Sequence, residues 1–440
     1  MKQTKTYLTR ILVLTVMVFS LLMTGVTTAH AEINVEAESA ILVDAETGNI
    51  LFEKESDIAL PPASMTKVMT EYLVWEAVEN GEINWDTKTE ISEYAYSISA
   101  NNSFSGVGLR LDHEYTVQEL YDAMAIYSDN ATTIALAELI AGSEGEFVKM
   151  MNEKAKEMGL ENAEFVNSTG LSNSSLGENY PEGTNPDDNN LISAKSMAKL
   201  AYHLVNDYPE ALEISSVPTQ EFEGNEMINY NWMLPGMPGH IAKYTYEGLD
   251  GLKTGRTELA GHTFTGTAKR DGTRLISVVM RTDSVEARFE QTQKILDYGF
   301  NSFSNQTLFE EGHQIEGEST LPVVNGKEEE IEIASAEPIE AMIREGEKDQ
   351  YSVNYQINED VLNDEGAIEA PVEEGLEVGK LVLTYDGEQS YGNILSDEST
   401  ISVPVETNDG VEKSNWFMLM LQAIGDFFVG LFNSIKGLFA

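Results

Sequence analysis

The stretch that most constrains this chain is Pro61-Pro62-Ala63-Ser64-Met65-Thr66-Lys67, running into Val68-Met69-Thr70-Glu71-Tyr72-Leu73-Val74-Trp75. Two successive prolines hold the backbone extended and discourage helix before Ala63. Beyond them the residues fit an amphipathic helix over 64–79, stopped at Asn80-Gly81. In such a helix Ser64 and Lys67 share one face of the first turn. A serine hydroxyl is a weak nucleophile until a base takes its proton. A lysine one turn away becomes that base when burial or nearby cations lower its pKa. The same spacing also describes a capping serine beside a solvated lysine, and Ser196-Met197-Ala198-Lys199 repeats it without other support.

Two later stretches support Ser64. Ser128-Asp129-Asn130 follows a helix-like run over 116–127, and Lys253-Thr254-Gly255 closes Gly248-Leu249-Asp250-Gly251-Leu252. Ser99-Ala100-Asn101 is a second S-x-N, read as a loop decoy. The set S-x-x-K, S-D-N and K-T-G, in this order and within one domain's length, resembles the serine-type D-alanyl-D-alanine carboxypeptidases, which are low-molecular-mass penicillin-binding proteins. Phe165-Val166-Asn167-Ser168-Thr169-Gly170-Leu171 resembles a loop signature of the same family. The resemblance covers 32–302 through its motifs and 306–440 only in layout. It implies an α/β (α+β) β-lactamase/transpeptidase-like domain, with an antiparallel sheet flanked by helices.

The resemblance also implies roles. Ser64 attacks a D-alanine carbonyl and forms an acyl-enzyme. Lys67 takes its proton, directly or through Ser128, and Ser128 relays it to the leaving amine. Asn130 hydrogen-bonds the substrate's peptide amide, while Lys253 and Thr254, followed by Gly255, hold the terminal carboxylate. The backbone N–H groups of Ser64 and Arg256 form the oxyanion site. Arg288 stands where the family tends to keep a carboxylate-binding arginine, and a surface helix arginine is the other reading. The chain departs from the family at Ala131, where an acidic residue is usual, and at Arg256, where a smaller residue or histidine is usual. Two rivals remain: a β-lactamase, with Glu164 as the carboxylate that activates water, and a non-catalytic wall-binding module on the same fold.

Composition bounds the partners. The formal net charge is −47, from 27 Lys+Arg against 74 Asp+Glu, which argues against nucleic acid and against attraction to anionic lipid. Such acidity reads as a solvated, self-repelling surface rather than a cation store, since no calcium-loop pattern is present. There is no cysteine, and the six histidines are scattered, so neither a disulfide nor a metal site is expected. No cofactor is implied. The expected partners are the peptidoglycan stem peptide, β-lactam antibiotics as covalent inhibitors, and a membrane surface.

Residues 1–31 read as a secretory signal: Lys2, Lys5 and Arg10, an apolar run over 11–26, then Ala29-His30-Ala31 as a cleavage site. An uncleaved anchor is the alternative. A hairpin is expected over 39–53. Helices are expected at 116–127, 131–141, 144–158, 193–206 and 284–298, the last ending at Gly299, and sheet over 249–281. From 306 to 405 short strand signals dominate, and residues 301–400 hold 25 acidic and 4 basic residues. This reads as a small all-β domain, which the family places as a spacer. A polar link over 406–412 leads to 413–440, an apolar tail with polar residues at Asn415, Gln422, Asp426 and Asn433. That narrow stripe fits an amphipathic helix lying on the outer face of the cytoplasmic membrane rather than crossing it. A core helix docked on the β domain is the alternative.

Overall fold

Strands β1 (Ser39–Asp44) and β2 (Ile50–Lys54) form the expected hairpin, with Leu42 opposite Phe52. They belong to the computed structural model, in which residues 33–387, 392–396, 401–415 and 420 are described. A 3-10 turn (Ala63–Thr66) follows the two prolines and leads into helix α1 (Lys67–Glu79). The helix is not amphipathic as expected. Residues 67–74 are all buried, so α1 is a central helix of the domain. One side of it packs Val68, Met69 and Leu73 against the sheet core, while Val74 and Ala77 join a second, helical core.

Helix α2 (Glu93–Ser99) is not among the helices expected from the sequence. Its signal is Ser92, whose side chain accepts from the Ala95 N–H and caps the first turn. Helices α3 (Val117–Tyr127), α4 (Asn130–Ala141), α5 (Glu144–Glu157) and α6 (Ala194–Asp207) fall within a residue or so of their expected bounds. Each starts at a residue whose side chain caps it: Thr116, Asp129, Ser143 and Ser193.

Strands β3 (Leu249–Thr257), β4 (Gly261–Arg270) and β5 (Thr273–Thr282) complete a five-stranded antiparallel sheet in the order β2-β1-β5-β4-β3. The strand that carries Lys253-Thr254-Gly255 is therefore an edge strand. Both faces of the sheet are covered. Ile41 and Val43 with Ile276 and Val278 point into the core built with α1 and α6. Leu42 and Leu275 point the other way, against helix α7 (Val285–Ser302). Gly299 does not stop α7 as expected. It is the contact point: a Cβ there would lie 2.6 Å from Leu275 Cδ1 and 2.7 Å from Leu42 Cδ2. The helix is pressed so close to the sheet that a Cβ at 299 forces the two leucine side chains to shift.

The β-rich part follows α7 without a linker, beginning at β6 (Phe303–Phe309), which pairs with Ile339–Arg344. A six-stranded sheet packs Ile331, Ile333, Leu381, Leu383 and Val405 inward. In Tyr351–Ile357 the odd-numbered residues are packed and Asn354 and Gln356 are wet, as the strict alternation predicts. The stretch expected as a polar link is paired instead: a strand runs over Ser402–Thr407, and Val411 and Lys413 bridge to Val372 and Gly326. Residues 392–396 reach back to the β1–β2 turn, where Asn393 Nδ2 donates to Thr47 O at 2.8 Å and Asn49 Oδ1 at 2.9 Å. The expected signal over 1–31 lies outside the described residues. So does the tail helix from 416 on, Met420 apart. Among the described residues no helix is long and apolar enough to cross a membrane.

Gly299→Ala puts a methyl into this contact and is expected to cost about 1–3 kcal/mol of stability. Urea unfolding of the variant against the parent chain measures it.

Candidate active site

The backbone before Ser64 is held in an unusual conformation. Ala63 has φ 50°, a left-handed value that costs energy for a residue with a Cβ. Two glycines press on it. A Cβ on Gly170 would overlap the Ala63 carbonyl, and one on Gly255 would lie 2.5 Å from Pro62 O. Thr263 Oγ1 donates to Pro62 O at 3.1 Å. The turn carrying Ser64 is thus wedged between the 167–171 loop and the edge strand β3.

Lys67, the first residue of α1, is completely buried. Its Nζ lies 3.1 Å from Ser64 Oγ, 2.9 Å from Asn130 Oδ1 and 2.9 Å from Thr169 O. The last two atoms only accept, so a neutral amine donates its two hydrogens to them and turns its lone pair toward Ser64. Burial, and after it the charge of Lys253, hold the pKa of Lys67 well below the ordinary lysine value. Both causes shift the balance toward the neutral amine, the state that can accept a proton.

Each partner of Lys67 is positioned by local chemistry. Asn167 Oδ1 accepts from Gly170 N at 2.7 Å and Thr169 N at 3.2 Å, which curls the loop so that its carbonyls face α1. Thr70 Oγ1 donates to Ser168 O at 2.9 Å and fixes the same loop one turn further on. Ser128-Asp129-Asn130 is a helix corner. Ser128 ends α3 in a left-handed conformation (φ 58°), Asp129 caps α4 by accepting from Thr132 N at 2.7 Å, and Asn130 opens that helix. Asn130 Nδ2 donates to Ser105 O at 3.2 Å, tying the corner to the polar loop 100–108. Ser128 is buried beside this network but makes no hydrogen bond to Lys67.

Along β3, Lys253, Thr254 and Gly255 face Thr265, Phe264 and Thr263 in unbroken register. Lys253 and Gly255 share the face turned to the Ser64 turn. Thr254 sits on the opposite face with Phe264, toward α7. Lys253 is 3 % exposed, and its ammonium makes no hydrogen bond among the described residues. Burial and the charge of Arg288 lower its pKa, opposed by Glu71, leaving it at about 8. Arg288 is not a surface helix arginine. It is 5 % exposed, donates from Nη1 to Gly255 O at 3.1 Å, and lies 4.7 Å from the centre of the Phe289 ring. Arg256 is exposed and its side chain has no hydrogen-bond partner among the described residues. His262 lies opposite Arg256 across the strand pair, and burial, then the charges of Arg288 and Arg256, lower its pKa.

Both decoys are explained. Ser196 Oγ donates to Glu161 O and Lys199 Nζ to Gly159 O at 3.3 Å, so the two side chains serve a loop and not each other. Ser99 Oγ accepts from Leu109 N at 2.7 Å. Glu164 is exposed, in a two-residue strand pair with 191–192. Sequence reasoning missed the buried carboxylates Glu71 and Glu144, both with pKa values raised by burial. Glu144 accepts from Ser168 N at 2.9 Å and Ser168 Oγ at 2.6 Å, supporting the loop whose carbonyl holds Lys67. The available signal for Glu71 was an acid inside an otherwise apolar run, four residues after Lys67.

Comparison with known proteins agrees with this geometry. Residues 25–284 match the peptidase S11 family, described as D-alanyl-D-alanine carboxypeptidase, and residues 303–413 match the penicillin-binding protein 5 C-terminal domain. The D-alanyl-D-alanine carboxypeptidase DacF of Bacillus subtilis is 33% identical over 396 residues, covering 90% of this chain and 91% of that protein. The crystal structure of a peptidoglycan synthesis regulatory factor (PBP3) from Streptococcus pneumoniae superposes with a TM-score of 0.70 at 36% identity, covering 86% of this chain and 100% of that one. Penicillin-binding protein D2 of Listeria monocytogenes in its cefotaxime-bound form aligns at 31% identity and a TM-score of 0.52, over 62% of this chain and 100% of that one.

Proposed function

The chain belongs to the peptidase S11 family of D-alanyl-D-alanine carboxypeptidases, and we propose that its acyl transfer runs through Ser64 with Lys67 as the base. The enzyme is a serine hydrolase that removes the terminal D-alanine of peptidoglycan stem peptides. One observation carries the assignment of residues. The Lys67 nitrogen, completely buried, lies 2.9 Å from Asn130 Oδ1, 2.9 Å from Thr169 O and 3.1 Å from Ser64 Oγ.

In this reading Ser64 Oγ bonds the carbonyl carbon of the penultimate D-alanine as its proton passes to Lys67. The backbone N–H groups of Ser64 and Arg256 take the oxyanion. Lys67 returns that proton through Ser128 to the leaving nitrogen, the C–N bond breaks, D-alanine departs, and Lys67 is neutral again. Water then attacks the ester and gives a proton to Lys67, which passes it to Ser64 Oγ as the acyl C–O bond breaks. Asn130 borders the substrate's peptide amide. Lys253, Arg256 and Arg288 hold the terminal carboxylate beside Gly255; Thr254, expected to join them, sits on the other face of β3. A β-lactam enters the same sequence, but its amide nitrogen stays tethered after the ring opens and blocks the water. The lactamase rival is disfavoured because Glu164 is exposed in its own short strand pair.

Labelled penicillin followed by peptide mapping is expected to mark the peptide holding Ser64, and D-alanine is released from a pentapeptide. Ser64→Ala is expected to lose both with an unchanged melting curve. Label on residues 193–199, rapid antibiotic turnover, or neither activity overturns the assignment, the carboxypeptidase or the enzyme, in that order.

Export and membrane attachment are inferred from the sequence of the two ends. The tail holds Trp416, Phe417, Phe427, Phe428 and Phe432, with Lys413 and Lys436 as its only bases. Each apolar side chain sunk into the headgroup boundary contributes at most about 1.5–3 kcal/mol, while charge adds little. The protein is therefore expected to stay on membranes in high salt and to leave in detergent. A chain ending at Asn415, which keeps the Lys413 bridge, is expected to be soluble and active. Release by salt alone shows that charge holds the protein. Protection of a tag placed after Ala440 from external protease shows a spanning tail.

A further inference from the structure

Two buried lysines flank the Ser64 turn, and the chemistry above needs them in opposite states. Lys67 must be neutral to take a proton, and Lys253 must be charged to hold a carboxylate. Nothing in two lysine side chains distinguishes them, so the surroundings must. Three buried carboxylates lie near. Asp129 is consumed by the N–H groups of Thr132 and Val107, at 2.7 and 2.5 Å. Glu144 is consumed by Ser168 and by Tyr94 OH, the latter at 2.8 Å. Glu71 is different. It is 2 % exposed, and one hydrogen bond reaches it, from Tyr121 OH to Oε2 at 3.4 Å. Trp75 Nε1 donates to that hydroxyl at 2.8 Å, which points the hydroxyl's own hydrogen at Glu71.

A buried carboxylate with so little local support is costly and is held by charges farther off. The groups that act on it are Tyr121 from α3 by hydrogen bond and, by charge, Lys253 from β3 and Lys67 from its own helix, while Arg288 acts in turn on Lys253. Glu71 follows Lys67 by one turn on the same face of α1, and α1 packs on β3. The stronger pull on Glu71 comes from Lys253 and the weaker from Lys67.

We propose that Glu71 is a positioning residue of the acyl-transfer reaction: a buried counter-charge that keeps Lys253 a cation and thereby leaves Lys67 as the base. The proposal rests on the acyl-transfer reading above. Burial pushes Glu71 up to about 7, so it is ionised at the pH of the basic limb, and there the proton shared by the two lysines settles on Lys253. The Lys253 charge then disfavours a second proton on Lys67. Without Glu71, Lys253 loses its compensating charge and gives up its proton at lower pH.

The test is the pH dependence of the acylation rate of the full chain by fluorescent penicillin, for the parent, Glu71→Gln and Glu71→Asp. The parent's basic limb is expected to follow loss of the Lys253 proton, at about 8. As pH rises through that value the charge on Lys253 is lost and acylation falls. Glu71→Gln is expected to move this limb down by ~1 pH unit, the size of one partly screened charge interaction. Glu71→Asp, which keeps the charge, is expected to restore most of the shift. An unmoved limb in Glu71→Gln overturns the proposal. If that variant does not fold, Tyr121→Phe, which removes the one hydroxyl serving Glu71, is expected to shift the limb the same way by less, and an unmoved limb there overturns it too. A parent chain that takes no label defeats the acyl-transfer reading itself, a separate outcome.

Discussion

The Lys67 nitrogen is the point on which the site depends. Three elements far apart in sequence meet there: the 3-10 turn with Ser64, the start of α4 with Asn130, and the 167–171 loop with Thr169. A buried ammonium is expensive, and three oxygens do not repay its hydration in full. The structure accepts a lysine in this place because the neutral amine is the less costly form there, and that form is a base. The same burial that makes the residue a structural burden makes it chemically useful. Gly170 and Gly255 belong to this arrangement. Only residues without a Cβ let the loop and the edge strand press on Pro62-Ala63 closely enough to aim Ser64 at Lys67.

Around this centre the charge is the reverse of the whole. The chain carries −47, yet Lys67 lies on one side of the Ser64 turn and Lys253 and Arg256, with Arg288 against Gly255, lie along the edge strand on the other. Arg256, without a partner of its own among the described residues, and Arg288, buried behind Gly255, concentrate positive potential at the edge strand. The negative surface weakens long-range attraction of an anionic peptide, and salt screens that repulsion. The local cluster acts after contact, where the dielectric is lower and a carboxylate is selected over an uncharged terminus.

Much of the site was legible in the sequence because its chemistry is written in short local motifs. Two prolines set the turn, and a capping aspartate flanked by Ser128 and Asn130 sets the helix corner. What local patterns could not show is burial. Glu71 and Lys67 look like ordinary polar positions of an amphipathic helix until the sheet and the helices α3–α6 enclose α1 on all sides. Gly299 reads as a helix stop in sequence and is a packing contact in space, because Leu42 and Leu275 lie across from it. The missed helix Glu93–Ser99 is short, and its cap at Ser92 was the one strong local sign. The stretch 406–412 reads as a link because the partners of Thr407 and Val411 lie some 40 to 75 residues earlier, at Ile333 and Val372.

The central claim is that Lys67 is a proton acceptor and Lys253 a charge. Arginine separates these roles, since a guanidinium keeps the charge but does not take a proton at any pH near neutrality. The direct measurement is the penicillin acylation rate of Lys67→Arg and Lys253→Arg beside the parent chain. The account predicts that Lys67→Arg loses acylation, while Lys253→Arg keeps a measurable fraction of it. Acylation of Lys67→Arg at the parent's rate, or equal and total loss in both variants, contradicts it.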